Sequence, residues 1–218
     1  MSRVKEIQLK VIPASIATPF VKKHHYSGKV VNNSFLHFGA FLDNELHGVM
    51  SFGHSIDKEK TRKLVLGTGW NEFCELNRMA FDDYLPRNSE SYCLGWALRM
   101  IKKQAPHIKW VISFADGCSC GDGTIYRASN FILTQIRRNS SIMINDSGEK
   151  VATLSMKFNR RDERKKCTML EGFMLRYIYF IHPKERKNLT CEEIPFCKIK
   201  EMGASMYRGV RQNATIKS

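Results

Sequence analysis

One stretch limits the possible folds more than any other. Glu75–Phe81 reads as a strand and Pro86–Ser91 as a short loop. Ser89–Lys103 then reads as a helix, and Trp110–Ala115 as a continuous apolar strand ending at Asp116. A strand, a helix and a second strand in succession point to an α/β sheet. An unbroken apolar run predicts a strand buried on both faces. In the helix, Tyr92, Cys93, Trp96, Ala97, Met100 and Ile101 recur at helical spacing. Asn88 or Ser89 can cap its start, and Lys102 and Lys103 suit its negative end. Ligand sites in such sheets lie beyond the carboxyl ends of the strands, where Asp116 sits.

The flanking sequence extends this unit. Ile7–Pro13 alternates like a strand, and Ser15 to about Tyr26 reads as a helix closed by Gly28. Phe35–Leu42 and Glu45–His54 form a hairpin about Asp43-Asn44, and residues 57–70 read as a loop. Thr124–Phe131 reads as a short helix. Ile142–Ile144 and Val151–Phe158 form a second hairpin about Asn145–Gly148, and Met174–Ile181 reads as a last strand. The tail from Lys198 is polar and is expected to be loose. The order implies an α/β fold with a mixed β-sheet, helices on both faces and an extra β-hairpin, the pattern of the GNAT acyltransferase architecture. No linker divides residues 1–218, so a single catalytic domain is expected.

Charge and cysteine usage narrow the partners. Lys and Arg number 35 against 21 Asp and Glu, a formal net charge of +14. Such an excess points to a polyanion, nucleic acid first, or else to a solvated basic surface. The basic residues cluster: Lys60, Arg62 and Lys63 form one group, and Arg160, Arg161, Arg164, Lys165 and Lys166 another. No run of about 18 apolar residues exists, so no membrane span is expected. The 7 cysteines are scattered, which fits a reducing cytoplasm and neither a disulfide framework nor a zinc site.

Three places carry candidate chemistry. The Arg87, Asn88, Ser89 and Ser91 loop precedes a helix N-terminus, whose free N–H groups suit a pyrophosphate. It lacks glycine and contains Glu90, so an ordinary helix cap is the alternative. His25 and Tyr26 close the first helix and offer nitrogen and oxygen donors. They can face one point only where the helix unwinds; otherwise they form a solvated helix end. Asp116 stands beside Gly117 with Tyr126 two turns into the following segment, either as part of a site or as a turn cap.

Taken as a set, His25-Tyr26-Ser27, Glu75–Arg78, Leu85–Glu90, Ser113–Asp116 and Ile125–Phe131 resemble the phage Mom DNA-modification proteins. The resemblance covers most of the chain. It implies a GNAT-like fold and conversion of the N6 amine of adenine in DNA to a carbamoylmethyl (acetamido) group, which shields phage DNA from host restriction. It implies acetyl-coenzyme A and iron as cofactors, double-stranded DNA as partner and the bacterial host cytoplasm as location. By motif match His25, Tyr26, Asp116 and Tyr126 fall on catalytic positions, with Tyr26, Asp116 and His25 as iron ligands. A paired, stacked adenine must be flipped out to be modified, and Trp70, Tyr84 and Tyr126 are candidates to stack on it. The rival readings are a GNAT N-acetyltransferase acting on a small amine or protein, and a non-catalytic basic DNA-binding protein.

Overall fold

The computed structural model describes residues 3–153, 166–207 and 209–212. Strands β1 (Gln8–Val11), β2 (Ser34–Leu42), β3 (Glu45–Gly53), β4 (Phe73–Phe81), β5 (Trp110–Asp116), β6 (Ile132–Arg138) and β10 (Phe173–Phe180) build a 7-stranded sheet in the order β1-β2-β3-β4-β5-β10-β6. Only β4 and β5 pair in parallel, so the sheet is mixed. Short strands β7 (Ile142–Ile144), β8 (Lys150–Ala152) and β9 (Thr168–Met169) form a separate 3-stranded sheet that contains the expected extra hairpin. Positions 154–158 of that hairpin's predicted outgoing strand lie outside the described residues.

Helices cover both faces. Helix α1 (Ala14–His24) sets Ala17 and Val21 against Val49 of β3 and Ala80 of β4. On the other face, α3 (Ser89–Gln104) buries Cys93, Leu94, Ala97, Leu98 and Ile101 against Phe38, Met50, Phe52, Leu76 and Val111. Each leucine so buried is worth ~1.5–3 kcal/mol. The buried stripe is turned from the one the sequence suggested: Leu94 and Leu98 lie inside, while Trp96 is 44% exposed. Neither expected residue caps α3 through its side chain. Asn88 occupies the cap position in a left-handed conformation (φ 72°), and its side chain makes no capping bond.

Other differences have local causes. The predicted loop 57–70 contains helix α2 (Lys58–Arg62), nucleated by Asp57, whose carboxylate accepts the Lys60 N–H at 3.0 Å. Helix α4 (Thr124–Ala128) stops earlier than expected. Left-handed Asn130 (φ 62°) turns the chain into β6, an edge strand that the sequence reading missed. The segment from 198, expected to be loose, carries helix α5 (Cys197–Glu201) and strands β11 (Met206–Tyr207) and β12 (Val210–Arg211). Its few apolar residues, Ile199, Ala204 and Met206, are buried and anchor it. No described helix is long and apolar enough to cross a membrane.

Candidate active site

The site begins where two parallel strands part. β4 and β5 pair only over Phe73–Glu75 and Trp110–Ile112. Beyond that point β4 contains a bulge: Phe52 of β3 faces Leu76 and Ser51 faces Arg78, which leaves Asn77 as the extra residue. Bulges re-aim side chains and end pairing. Here the bulge turns Arg78 to the α1 face, where alternation alone would put it opposite. Asn77 is held by the Ser34 hydroxyl (3.1 Å), and the Ser113 hydroxyl reaches the Leu76 carbonyl (3.1 Å) at the start of the split. β5 is buried as expected except for Phe114, 41% exposed on the face it shares with Ile112 and Trp110.

Side chains from distant segments converge on this opening. The C-cap of α1 falls at His25, so Tyr26 lies just past the helix, where Gly28 (φ 60°) closes the turn through a bond from its N–H to the His25 carbonyl (2.8 Å). The chain therefore unwinds at His25 and Tyr26, as a shared site requires. The Tyr26 ring rests on His25 (centroids 4.3 Å apart) and is 53% exposed at the cleft mouth. Although the residue is half exposed, the protein around its phenol end desolvates it, and this together with the nearby charges of Asp116, Cys120 and Tyr126 holds the phenol above its ordinary value; Arg78 opposes them. The phenol thus lies within electrostatic reach of the Asp116 carboxylate and of Tyr126. His25 is pushed down to about 4 by burial and by Arg78. Its Nδ1 accepts the Ser27 N–H (3.2 Å) and lies 2.8 Å from the Ser27 hydroxyl, which leaves the proton of the neutral ring on Nε2.

Asp116 ends β5. One carboxylate oxygen accepts the Cys118 N–H at 2.9 Å, and its backbone carbonyl receives the N–H groups of Ser119, Cys120 and Gly121. The turn-cap reading thus describes the Asp116 backbone and one of its carboxylate oxygens. Tyr126 is buried between Phe131 and Tyr177, and burial pushes its phenol up to about 12 while the Ser113 hydroxyl pulls the other way. A ring so enclosed cannot stack on a flipped base. Of the other proposed stackers, Tyr84 is engaged, lying flat on His47 and donating to Asp43 (2.7 Å). Trp70 is exposed beneath the Lys58 ammonium, 4.8 Å from its ring centre.

The sequence reading gave Glu75, Arg78, Ser113 and Cys120 no role. Glu75 accepts the Ser55 hydroxyl (2.6 Å), and burial raises its pKa against that bond and against Arg78. Arg78 donates to the carbonyls of Lys29 (2.8 Å) and Asn77 (2.6 Å) and, among the described residues, forms no ion pair. The signal for Glu75, Arg78 and Ser113 was present, since each lies inside a stretch that carried the family resemblance.

The α3 N-terminus opens at the same, carboxyl, end of the β4–β5 pair. Arg87 and Asn88 are exposed there. The Ser89 hydroxyl is turned inward to the Pro86 carbonyl (2.5 Å), and that of Ser91 to the Asn88 carbonyl (3.1 Å). As hard oxygen donors Tyr26 and Asp116 suit iron, but among the described residues no group of three or more His, Cys, Asp or Glu side chains is placed to hold a metal. Of the basic clusters, Arg62 is bound to Glu59 by two bonds (2.7 and 3.0 Å) and Lys63 by one contact (3.3 Å). Lys60 and Lys166 are exposed. Arg160, Arg161, Arg164 and Lys165 lie outside the described residues.

Residues 6–198 match the model of the Mom protein family. The chain is 33% identical over 195 residues to "Methylcarbamoylase mom" of Escherichia phage Mu, an alignment covering 85% of this chain and 80% of that one. Among solved structures it is similar to a GNAT family acetyltransferase from Elizabethkingia anophelis with acetyl-CoA bound (TM-score 0.47, 14% identity, 80% of this chain and 97% of that one). It is also similar to an IAA acetyltransferase from Bacillus cereus (TM-score 0.48, 12% identity, 80% and 99%).

Proposed function

The chain belongs to the Mom protein family, and from that membership we propose that it is a phage DNA-modification enzyme that converts the N6 amine of adenine to the carbamoylmethyl form. What supports this reading is that Tyr26 lies near enough to Asp116 and Tyr126, each from another segment, to feel their charges, with Asp116 at the end of β5 beyond its pairing with β4. A flipped adenine enters at Tyr26 and the exposed Phe114, which offer aromatic faces at the mouth. His25 holds its proton on Nε2 and Tyr126 keeps its phenol protonated, so both act as hydrogen-bond donors to the base. Asp116 and Glu75 are the carboxylates available to take the proton that N6 loses. Exposed Lys60 and Lys166, with Arg160, Arg161, Arg164 and Lys165, serve the phosphates. The place of action is the host cytoplasm, where the phage DNA is.

Acetyl-coenzyme A is assigned to the open α3 N-terminus. Exposed Arg87 and the first-turn N–H groups, that of Ser91 among them, suit its pyrophosphate; Asn88 lines the loop, and Ser89 closes it by bonding to the Pro86 carbonyl through both its N–H and its hydroxyl. Iron is assigned to Tyr26 and Asp116, with His25 a further donor only in the tautomer that carries its proton on Nδ1 and gives up the Ser27 N–H bond; a bound ion would supply Lewis-acid or redox chemistry there and would have to displace the Tyr26 proton that burial retains. Elemental analysis tests this: iron retained by the purified wild type and lost in Asp116→Ala is expected, and an iron-free active wild type refutes it.

The function is tested by expressing the protein in bacteria, digesting the DNA to nucleosides and weighing deoxyadenosine. A species heavier by one acetamido substituent is expected, and it disappears in Asp116→Ala. Unmodified deoxyadenosine in cells that make folded wild-type protein refutes the reading.

A further inference from the structure

Beside the catalytic cleft lies a second cavity of about 330 Å³, between α1, the segment after it and the α1 face of β2–β4. Its apolar wall is Ala17, Val21, Val30 and Val31, and its polar wall is Thr18, Asn32, Ser34, His37, Ser51 and Arg78. The volume is at the small end of ligand sites, which run ~300–1,000 Å³. Arg78 is the one charged residue lining it. The guanidinium is partly desolvated and held in place by the carbonyls of Lys29 and Asn77, without an ion pair among the described residues. Glu75 acts on it electrostatically without pairing with it, so the guanidinium N–H groups not used by the two carbonyls remain available to an anion entering the cavity. His37 adds no second charge: burial lowers its pKa, and its Nδ1 lies 2.8 Å from the Ser51 hydroxyl. One positive charge, hydroxyls and an amide suit a small monoanion that also carries a polar group. A dianionic phosphate would need more positive charge than the lining supplies.

Arg78 also acts electrostatically on Tyr26 and His25, so this cavity adjoins the reacting centre. We infer that it is a binding site for a small amino-acid-type carboxylate, whose carboxyl group pairs with Arg78 and whose nitrogen is held by the hydroxyl and amide lining. The inference concerns binding alone, and it rests on the functional reading only for its place beside the proposed site.

Glycine is the probe, with glycinamide, inorganic phosphate and coenzyme A as comparisons, measured by calorimetry on the full chain. Glycine binds, glycinamide binds at least about tenfold more weakly, and Arg78→Gln weakens glycine by about tenfold or more, the loss of one charge-assisted pair. Thr18→Phe fills the cavity without touching Arg78; it likewise abolishes glycine binding while coenzyme A binding is unchanged. The inference is overturned if glycine does not bind, if either variant leaves its affinity unaltered, or if phosphate or coenzyme A displaces it competitively, since the cavity then belongs to the cofactor. These readouts need no DNA modification, so their failure is distinct from failure of the functional reading.

Discussion

Gly123 is the pin that sets Tyr126 in the site, and replacing it by alanine should cost far more than the same change two residues earlier. Gly123 has φ 87°, and an added Cβ would stand 2.4 Å from Tyr177 Cε2 and 2.6 Å from its Cζ. A non-glycine residue in that conformation costs ~1–2 kcal/mol by itself. The Tyr177 ring cannot yield cheaply, because it is fully buried, its hydroxyl donates to the Asp122 carbonyl, and Tyr126 packs against it. Overpacking of this kind adds ~1–3 kcal/mol, so the expected loss is about 2–5 kcal/mol. Gly121 is the control, since its Cβ would meet only the Met206 carbonyl at 3.6 Å, and Gly121→Ala should be near neutral. Urea unfolding of both variants measures the difference, and nucleoside mass analysis reads activity in whatever folds. Gly123→Ala should lose modification even where it remains folded, because α4 and the Tyr126 phenol move together. Equal stability of the two variants, or full activity in Gly123→Ala, would refute the packing argument.

The remaining predictions concern the charged groups. Burial raises the pKa of Glu75 in the folded chain, so it opposes folding above the unfolded value of about 4.5 and not below it. Glu75→Gln should therefore raise the melting temperature at pH 7, with the gain fading as pH falls from the raised folded value toward 4.5 and absent below it, while modification is lost. Ser55→Ala removes the hydroxyl that holds Glu75 down, and the acid limb of the activity–pH profile should move upward. Tyr126→Phe keeps the ring packing, should cost ~1 kcal/mol in unfolding free energy, and should reduce modification by much more than that loss implies. Lys60→Ala should reduce the salt slope of DNA binding by about one counterion at a constant fold; an unchanged slope would remove α2 from the DNA surface.

The sequence made the β4–α3–β5 unit legible because three physical signals coincided there: an apolar run, helical periodicity and a terminal carboxylate; the parallel pairing of its strands is seen in the structure. It also put the unwinding of α1 at the right place, since Gly28 stops the helix and frees Tyr26 to leave its face. What was not legible depended on tertiary contacts. β6 carries Arg137 and Arg138 at its end and reads as polar, yet β10 supplies it with a full ladder from a distant part of the chain. The tail looked loose because polar residues outnumber Ile199, Ala204 and Met206, which nevertheless suffice to dock it. Arg78 was hidden for a simpler reason. Strict alternation assigns it to the wrong face, and only the extra residue Asn77 turns it toward Tyr26.

Burial, rather than the bulge, suits such a site to a neutral base on a highly charged polymer. Burial drives the Tyr26 and Tyr126 phenols and the Glu75 carboxyl toward their protonated forms and His25 toward its neutral form. A cleft tuned this way offers hydrogen bonds at low cost to an uncharged adenine and disfavours entry of phosphate. The basic side chains stay outside: Lys60 on α2 and Lys166 ahead of β9 are exposed. In the proposed reading the base enters a desolvated cleft while the phosphates meet exposed basic side chains, a division that rests on desolvation rather than on shape. Arg78 is the exception that the bulge admits, a desolvated cation without an ion pair among the described residues. Its presence in a cleft otherwise biased toward neutrality is intelligible if a small anion completes it during turnover.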